Sequence, residues 1–271
     1  MIKLLFALLT WMLFACEDDS SSASASNSAE EQILDVSDIV YDSLEDSRDG
    51  QVYTTVRIGN QWWMAENLNY AVDSSYCYND EFDSCTIYGR LYPWIVAMHL
   101  DSVYSNVGAF YDGIVDSVHQ GICPKGWHIP SEGEWKILIE YADAHNGKEG
   151  IGASMRAPYG WKEYVGNEYV DGEFRMDVVI EYTDRFGFAA IPGGARASTS
   201  LMECNCLVPY TYCDNAFYAY FWSATEVFSY RNDMPKAVSF ADNAMMNADG
   251  FYSVTEFTKS YALSVRCLKN E

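Results

Sequence analysis

The folds open to this chain are limited most by its cysteines: Cys77, Cys85, Cys123, Cys204, Cys206, Cys213 and Cys267 all follow an N-terminal apolar run that ends in an eighth, Cys16. That run, Leu4 to Ala15 broken only by Thr10 and preceded by Lys3, has the charged start and short apolar body of an export signal. It is shorter than the roughly 20 residues that span a bilayer. In an exported chain, cysteines read as disulfides before they read as metal ligands. Cys77 and Cys85 lie close enough to pair locally. Cys123 with Cys267 ties the middle of the chain to its last strand, closing a loop that chain-entropy arguments value at roughly 4 to 5 kcal/mol. Cys204, Cys206 and Cys213 supply one bridge, with Cys206 and Cys213 as its candidate ends, and one orphan. A zinc site from these three has no usual ligand spacing and no nearby histidine.

The phrase Leu13-Phe14-Ala15-Cys16 resembles the bacterial lipoprotein signal, in which the cysteine becomes the acylated first residue. The resemblance implies a signal peptide at 1–15, a palmitate-type lipid anchor on Cys16 and a place in the cell envelope, on the outer membrane. Residues 17–50 carry eleven acids against one base, Arg48, around a Ser/Ala tract. We expect residues 16–48 to be an acidic, solvated tether, in which Ile33, Leu34, Val36, Ile39 and Val40 could dock as a short element. Glu17, Asp18 and Asp19 resemble signals that send some lipoproteins to the outer face of the outer membrane. The whole chain has 17 basic and 39 acidic residues, a formal net charge of −22, which opposes any phosphate-tracking role and excludes nucleic acid as a partner. With 49% hydrophobic residues the remainder, 49–271, is globular.

Within it, Val52-Tyr53-Thr54-Thr55-Val56-Arg57-Ile58 alternates, turns at Gly59-Asn60 and resumes with Trp62-Trp63-Met64, a hairpin pattern. Pro93 opens a short helix that carries Trp94, Ile95, Val96, Ala97 and Met98 and ends near Ser102. Ser131 and Glu134 form a capping box, and Trp135, Leu138, Ile139 and Ala142 follow at helical spacing, predicting a helix over 132–144. Residues 148–185 read as an irregular excursion with a possible hairpin, and strands are expected at 186–191, 219–223, 237–240 and 261–268. This is an α+β pattern in which first and last strands pair.

Several phrases then resemble, in order, the Fibrobacter succinogenes major paralogous domain family. They are Asp49-Gly50 with Ile58-Gly59-Asn60-Gln61-Trp62-Trp63-Met64-Ala65-Glu66-Asn67-Leu68-Asn69-Tyr70, Tyr88-Gly89-Arg90-Leu91-Tyr92, Cys123-Pro124-Lys125-Gly126-Trp127-His128-Ile129-Pro130-Ser131, Gly187-Phe188 with Gly193-Gly194-Ala195-Arg196, Phe221-Trp222-Ser223-Ala224-Thr225-Glu226 and Ser264-Val265-Arg266-Cys267. The resemblance covers 49–269. It implies a C-type-lectin-like domain with two helices, paired terminal strands and a long loop region, in exported proteins for which the family establishes no reaction. The stretch from Trp127 to Trp135 is also similar to a helix-entry scaffold motif of formylglycine-generating oxidases.

The chemistry-bearing residues point away from catalysis. No His-Glu-x-x-His helix, nucleophile elbow or phosphate-cradling loop is present. His128, between Trp127 and Ile129, reads as a packed structural histidine. Two carboxylates acting on a glycosidic bond are the alternative, but Glu134 is explained by capping and Glu66 by a family phrase. Two acid-rich clusters, Asn79, Asp80, Glu81 and Asp83, and Asp242, Asn243, Asn247 and Asp249, fit solvated loops better than calcium sites. No cofactor is expected. Among the loop aromatics, which include Tyr159 and Tyr220, Trp161, Tyr164, Tyr210, Tyr212 and Tyr218 are the ligand-binding candidates, offering broad contact area with a polar edge. The expectation is a non-catalytic binding module whose partner is a glycan or an envelope or surface protein, anchored to the lipid membrane.

Overall fold

The alternating segment forms β2 (Val52–Ile58), which turns through Gly59 at φ +58° into β3 (Gln61–Met64). The computed structural model describes residues 39–109, 113, 115, 118–145, 150–161, 165–170, 173–179, 183–197, 211–213, 216–227, 234–241 and 251–271. The other strands, in chain order, are β1 (Val40–Glu45), β4 (Tyr92–Pro93), β5 (Trp127–His128), β6 (Val165–Val170), β7 (Glu173–Val179), β8 (Ala195–Arg196), β9 (Tyr212–Cys213), β10 (Tyr218–Val227), β11 (Met234–Ala241), β12 (Phe251–Glu256), β13 (Ala262–Leu263) and β14 (Leu268–Lys269). The α-helices are α1 (Phe82–Tyr88), α2 (Trp94–Ala97), α3 (Glu132–His145) and α4 (Gly150–Met155). Helices and antiparallel sheets make the domain α+β. The sheets run β1-β2-β3-β14-β5, β4-β13-β8-β9, β10-β11-β12 and β6-β7.

Both ends of the described chain enter the first sheet, but the first and last strands do not pair as expected: β14 lies between β3 and β5, with β2 and β3 separating it from β1. The reason is that 261–268 is not one strand. β13 joins β4 and β8, the chain crosses over at Arg266 and Cys267, and β14 joins the other sheet. The tether expected to reach residue 48 ends earlier, because β1 pairs with β2 along its whole length. Its turn is locked by Asp46, buried, whose carboxylate accepts from Arg48 Nε at 2.8 Å and Nη2 at 2.5 Å. Arg48 Nη1 also donates to the carbonyl of Ile122 at 2.8 Å.

α3 matches its expectation closely. Ser131 N donates to Glu134 Oε2 at 2.7 Å and Glu134 N to Ser131 Oγ at 3.3 Å, a reciprocal cap that satisfies two backbone donors at the helix entry. Trp135, Leu138, Ile139 and Ala142 are buried. Trp135 meets Trp63 at a ring separation of 4.6 Å and Phe221 at 5.7 Å, the centre of one core cluster. A second cluster gathers Trp94, Tyr92, Trp222, Phe257 and Tyr261.

Three expectations about elements are corrected. α2 stops at Ala97, before Ser102, because His99 takes φ +52° and the Ala97 carbonyl accepts from Ile122 N at 2.7 Å. Residues 186–191 are not a strand: Ala189 sits at φ +49°, and the carbonyls of Phe188 and Ala189 are taken by a side chain. The two-helix expectation misses α1, framed by a disulfide, and α4, whose Gly-Ile-Gly-Ala sequence hides helical periodicity while Ile151 to Met155 are all buried.

Candidate functional site

Arg266 is the hub on which the recurring sequence phrases meet. It is fully buried, and its guanidinium donates from Nε to Asn67 Oδ1 at 2.7 Å, from Nη1 to the carbonyls of Met64 at 3.0 Å and Phe188 at 2.5 Å, and from Nη2 to the carbonyl of Ala189 at 2.7 Å. Burial pulls the guanidinium down to about 9, which leaves it a cation at neutral pH, with Asp184 and Glu66 as counter-charges. One side chain thus fastens the segment after β3 to the segment before β8, and a planar donor fork is what such multiple carbonyl capture requires. Asn67 Nδ2 extends the link, donating to the Tyr88 carbonyl at 2.8 Å and Ser264 Oγ at 3.3 Å. Gly89, at φ +71°, is required here: an added Cβ would lie 2.7 Å from Asn67 Cβ and 2.9 Å from the Leu68 carbonyl.

Over this frame opens a cleft of about 690 Å³. Its walls come from β1 (Tyr41), β2 and its approach (Gln51 to Thr54), the segment after β3 (Ala65, Glu66, Asn67, Asn69), α1 (Thr86, Ile87), Tyr159 after α4, and the segment before β8 that carries Asp184, Gly187 and Ala189. Tyr41 and Tyr159 are 52% and 57% exposed. Asp184 Oδ1 accepts from Ala189 N at 2.7 Å, yet burial outweighs that bond and the Arg266 charge and pushes the carboxyl up to about 7. Burial raises the Tyr41 hydroxyl, with Asp184 adding to the effect, and burial raises Tyr53 to about 12. Glu66 Oε1 accepts from Thr54 N at 2.7 Å. Gly187, at φ +69°, lies under the Tyr41 hydroxyl, where any Cβ would collide.

The chain matches the Fibrobacter succinogenes major domain over residues 56–269. It belongs to that family. No curated protein and no solved structure matches the chain. The family phrases converge on Arg266, Asn67, Gly89, Gly187 and Phe188, so their first duty in this family member is to build the frame.

The expected ligand-binding aromatics do not assemble there. Trp161 is buried, 9% exposed; its indole N–H donates to the Ala190 carbonyl at 3.1 Å and its ring lies 4.5 Å from the Arg156 guanidinium, so it is core rather than contact surface. Tyr218 is half-buried and stacks on the buried Tyr220 at 5.3 Å. Tyr212 is half-buried, 5.1 Å from the Tyr78 ring, and donates to Asp80 Oδ1, which ties up one acid of the first loop cluster. Tyr164 and Tyr210, Cys16, Cys204, Cys206 and the cluster from Asp242 to Asp249 lie outside the described residues. Disulfides join Cys77 to Cys85 and Cys123 to Cys267, and Cys213 is disulfide-bonded. Among the described residues no group of three or more His, Cys, Asp or Glu side chains is placed to hold a metal.

His128 is buried, with Nδ1 2.8 Å from Asn270 Oδ1 and Nε2 2.9 Å from Glu134 Oε1. Ser131 Oγ reaches the other oxygen of Glu134 at 2.7 Å. The carboxylate therefore stands between serine and histidine, so the hydroxyl bonds to the helix-capping carboxylate and not to the imidazole. Sequence reasoning missed Tyr41, placed in a tether, and Asp184 and Asn69. The available signal was Gly187, which anticipates a close approach that Tyr41 supplies.

Proposed function

We propose that this protein is a lipid-anchored module of the bacterial cell envelope, held to the outer membrane through Cys16, with a C-type-lectin-like head that binds a partner without transforming it. The cleft carries the reading: about 690 Å³, rimmed by the exposed rings of Tyr41 and Tyr159, on a frame fixed by Arg266 and by the disulfide that ends at Cys267. Its size is that of a ligand site, and rigid tyrosines supply contact area at low entropic cost. The test is retention of the purified full-length chain on envelope fractions and on glycan and protein arrays. Tyr41→Ala with Tyr159→Ala is expected to abolish retention, and Cys16→Ser to move the protein from the membrane to the soluble fraction. Unchanged retention in the double variant would overturn the cleft as the binding surface.

A second reading, an envelope enzyme acting on polysaccharide, is favoured by one observation: Asp184, raised to about 7, shares the cleft with Glu66, and an acid held protonated beside a second carboxylate is the pattern of glycoside hydrolysis. Reducing-sugar release from plant polysaccharide that disappears in Asp184→Asn would establish it. No release at high protein concentration would dismiss it.

A further inference from the structure

In the cleft the side-chain amides of Asn67 and Gln51 are spent while carboxylate oxygens stay open. Asn67 spends both amide hydrogens on the Tyr88 carbonyl and Ser264 Oγ. Gln51 spends its own on Asp49 Oδ2 and the Asn69 carbonyl, and Thr86 donates to the Asp83 carbonyl. Acceptors remain. Glu66 and Asp184 each use one oxygen on a backbone N–H, and Asn69 Oδ1 is buried with no donor in reach. No lysine or arginine is part of the lining.

Resting on the binding-module reading, we propose that the cleft takes a primary alkylammonium group, with the charge on Asp184, Glu66 and Asn69 and the alkyl stem along the exposed Val52 and Ile87. An ammonium donates charge-assisted hydrogen bonds to the open carboxylate oxygens, and Tyr41 and Tyr159 offer ring faces that attract a cation. Ammonium is favoured over guanidinium because the acceptors are single and separated, one oxygen per side chain, whereas a planar fork needs a paired carboxylate edge. Val52 and Ile87, 61% and 53% exposed, provide the apolar rim along which a lysine-like stem lies while its head reaches the acceptors. The buried Arg266 offsets one carboxylate and leaves the other for the ligand, and the net charge of −22 draws cations toward the domain.

Asp184 is faced by the Tyr41 hydroxyl from β1, the Ala189 amide from its own loop and the Arg266 guanidinium from below. Binding a cation requires its ionised form, so affinity falls as pH drops through about 7, and binding releases protons. The experiment is calorimetric titration of the full-length chain with three probes: a lysine-rich octapeptide, spermidine and a cello-oligosaccharide. Binding of the peptide alone places the ammonium in a partner protein, and binding of spermidine alone points to a free polyamine; either supports the proposal. Asp184→Asn is expected to weaken binding roughly tenfold or more and to flatten its pH dependence, Tyr159→Leu to weaken it without flattening, and Glu140→Gln, on the exposed face of α3, to leave it unchanged. Binding of the oligosaccharide but of neither ammonium probe, or equal losses in Asp184→Asn and Glu140→Gln, would overturn the ligand class. Loss of envelope retention in the tyrosine variants would still test the binding reading separately.

Discussion

Asp184, in the wall of the cleft, and Arg266, buried beneath it, act oppositely on stability. Burial holds the Asp184 carboxyl at about 7, against 3.8 for the free side chain. Between those values the native state keeps a proton that the unfolded chain has released, so stability falls as pH rises through the window, by at most about 1.4 kcal/mol per unit. Asp184→Asn is expected to unfold at higher temperature than the parent at about pH 8, with the gap closing by about pH 4. Circular-dichroism melts across that range check it, and a gap independent of pH would refute the assignment. Arg266 works the other way. Replacing it with Met leaves the carbonyls of Met64, Phe188 and Ala189 and the Asn67 oxygen without their buried donor. The expected loss is about 3 to 5 kcal/mol in urea unfolding. Lys, a single flexible point charge, is expected to recover less than half of it.

At the scale of elements, α3 shows why some of the fold was legible. Its cap, its apolar face and its length are all local, encoded within 15 residues or so, and the structure returns them. The His128 contact adds a pH signature. Burial of the ring works against its charge, but Glu134 and Asn270 outweigh it, so the His128 pKa is raised; for Glu134, contacts with His128 and Ser131 outweigh burial and lower it. The stability that His128 contributes is fully present below 6.5 and fades as pH rises through the raised value; that of Glu134 is present above 4.5 and fades as pH falls through the lowered one. The pair is therefore strongest between these limits. Glu134→Gln should remove about 1 to 3 kcal/mol there and flatten both flanks, measured by denaturant midpoints over pH. What was not legible was whatever depends on distant partners. Nothing near 186–191 says that its carbonyls belong to Arg266, and nothing in the acidic run before Gln51 says that Asp46 is buried by Arg48 and that Tyr41 roofs Gly187. The cleft gathers six stretches of chain, so its composition was invisible to any window, while the frame beneath it announced itself as family phrases.

For the molecule as a whole the deciding device is how the end of the chain is built in. β14 inserts between β3 and β5, Met64 N donates to the Cys267 carbonyl at 3.0 Å, and Cys267 is bonded to Cys123. That bridge closes a separation of 144 residues, and Cys77–Cys85 closes one of 8. Loop-closure entropy grows slowly with length, which gives about 5 kcal/mol for the long bridge and about 2.5 for the short one. The two therefore differ by about 2.5 kcal/mol in their effect on the unfolded chain, although both are a single bond. Cys123→Ser with Cys267→Ser should lower global stability by roughly twice as much as Cys77→Ser with Cys85→Ser, by denaturant unfolding under non-reducing conditions. Hydrogen exchange should separate the two in space as well. The short-bridge variant should lose protection in α1 alone, whereas the long-bridge variant should lose it in β14, in β3 and around Arg266, since the guanidinium and the bridge occupy neighbouring residues of the segment that crosses from β13 to β14. Equal losses from the two variants would mean that the folded frame holds the chain end without the bridge, and that Arg266 with its carbonyls supplies the closure alone.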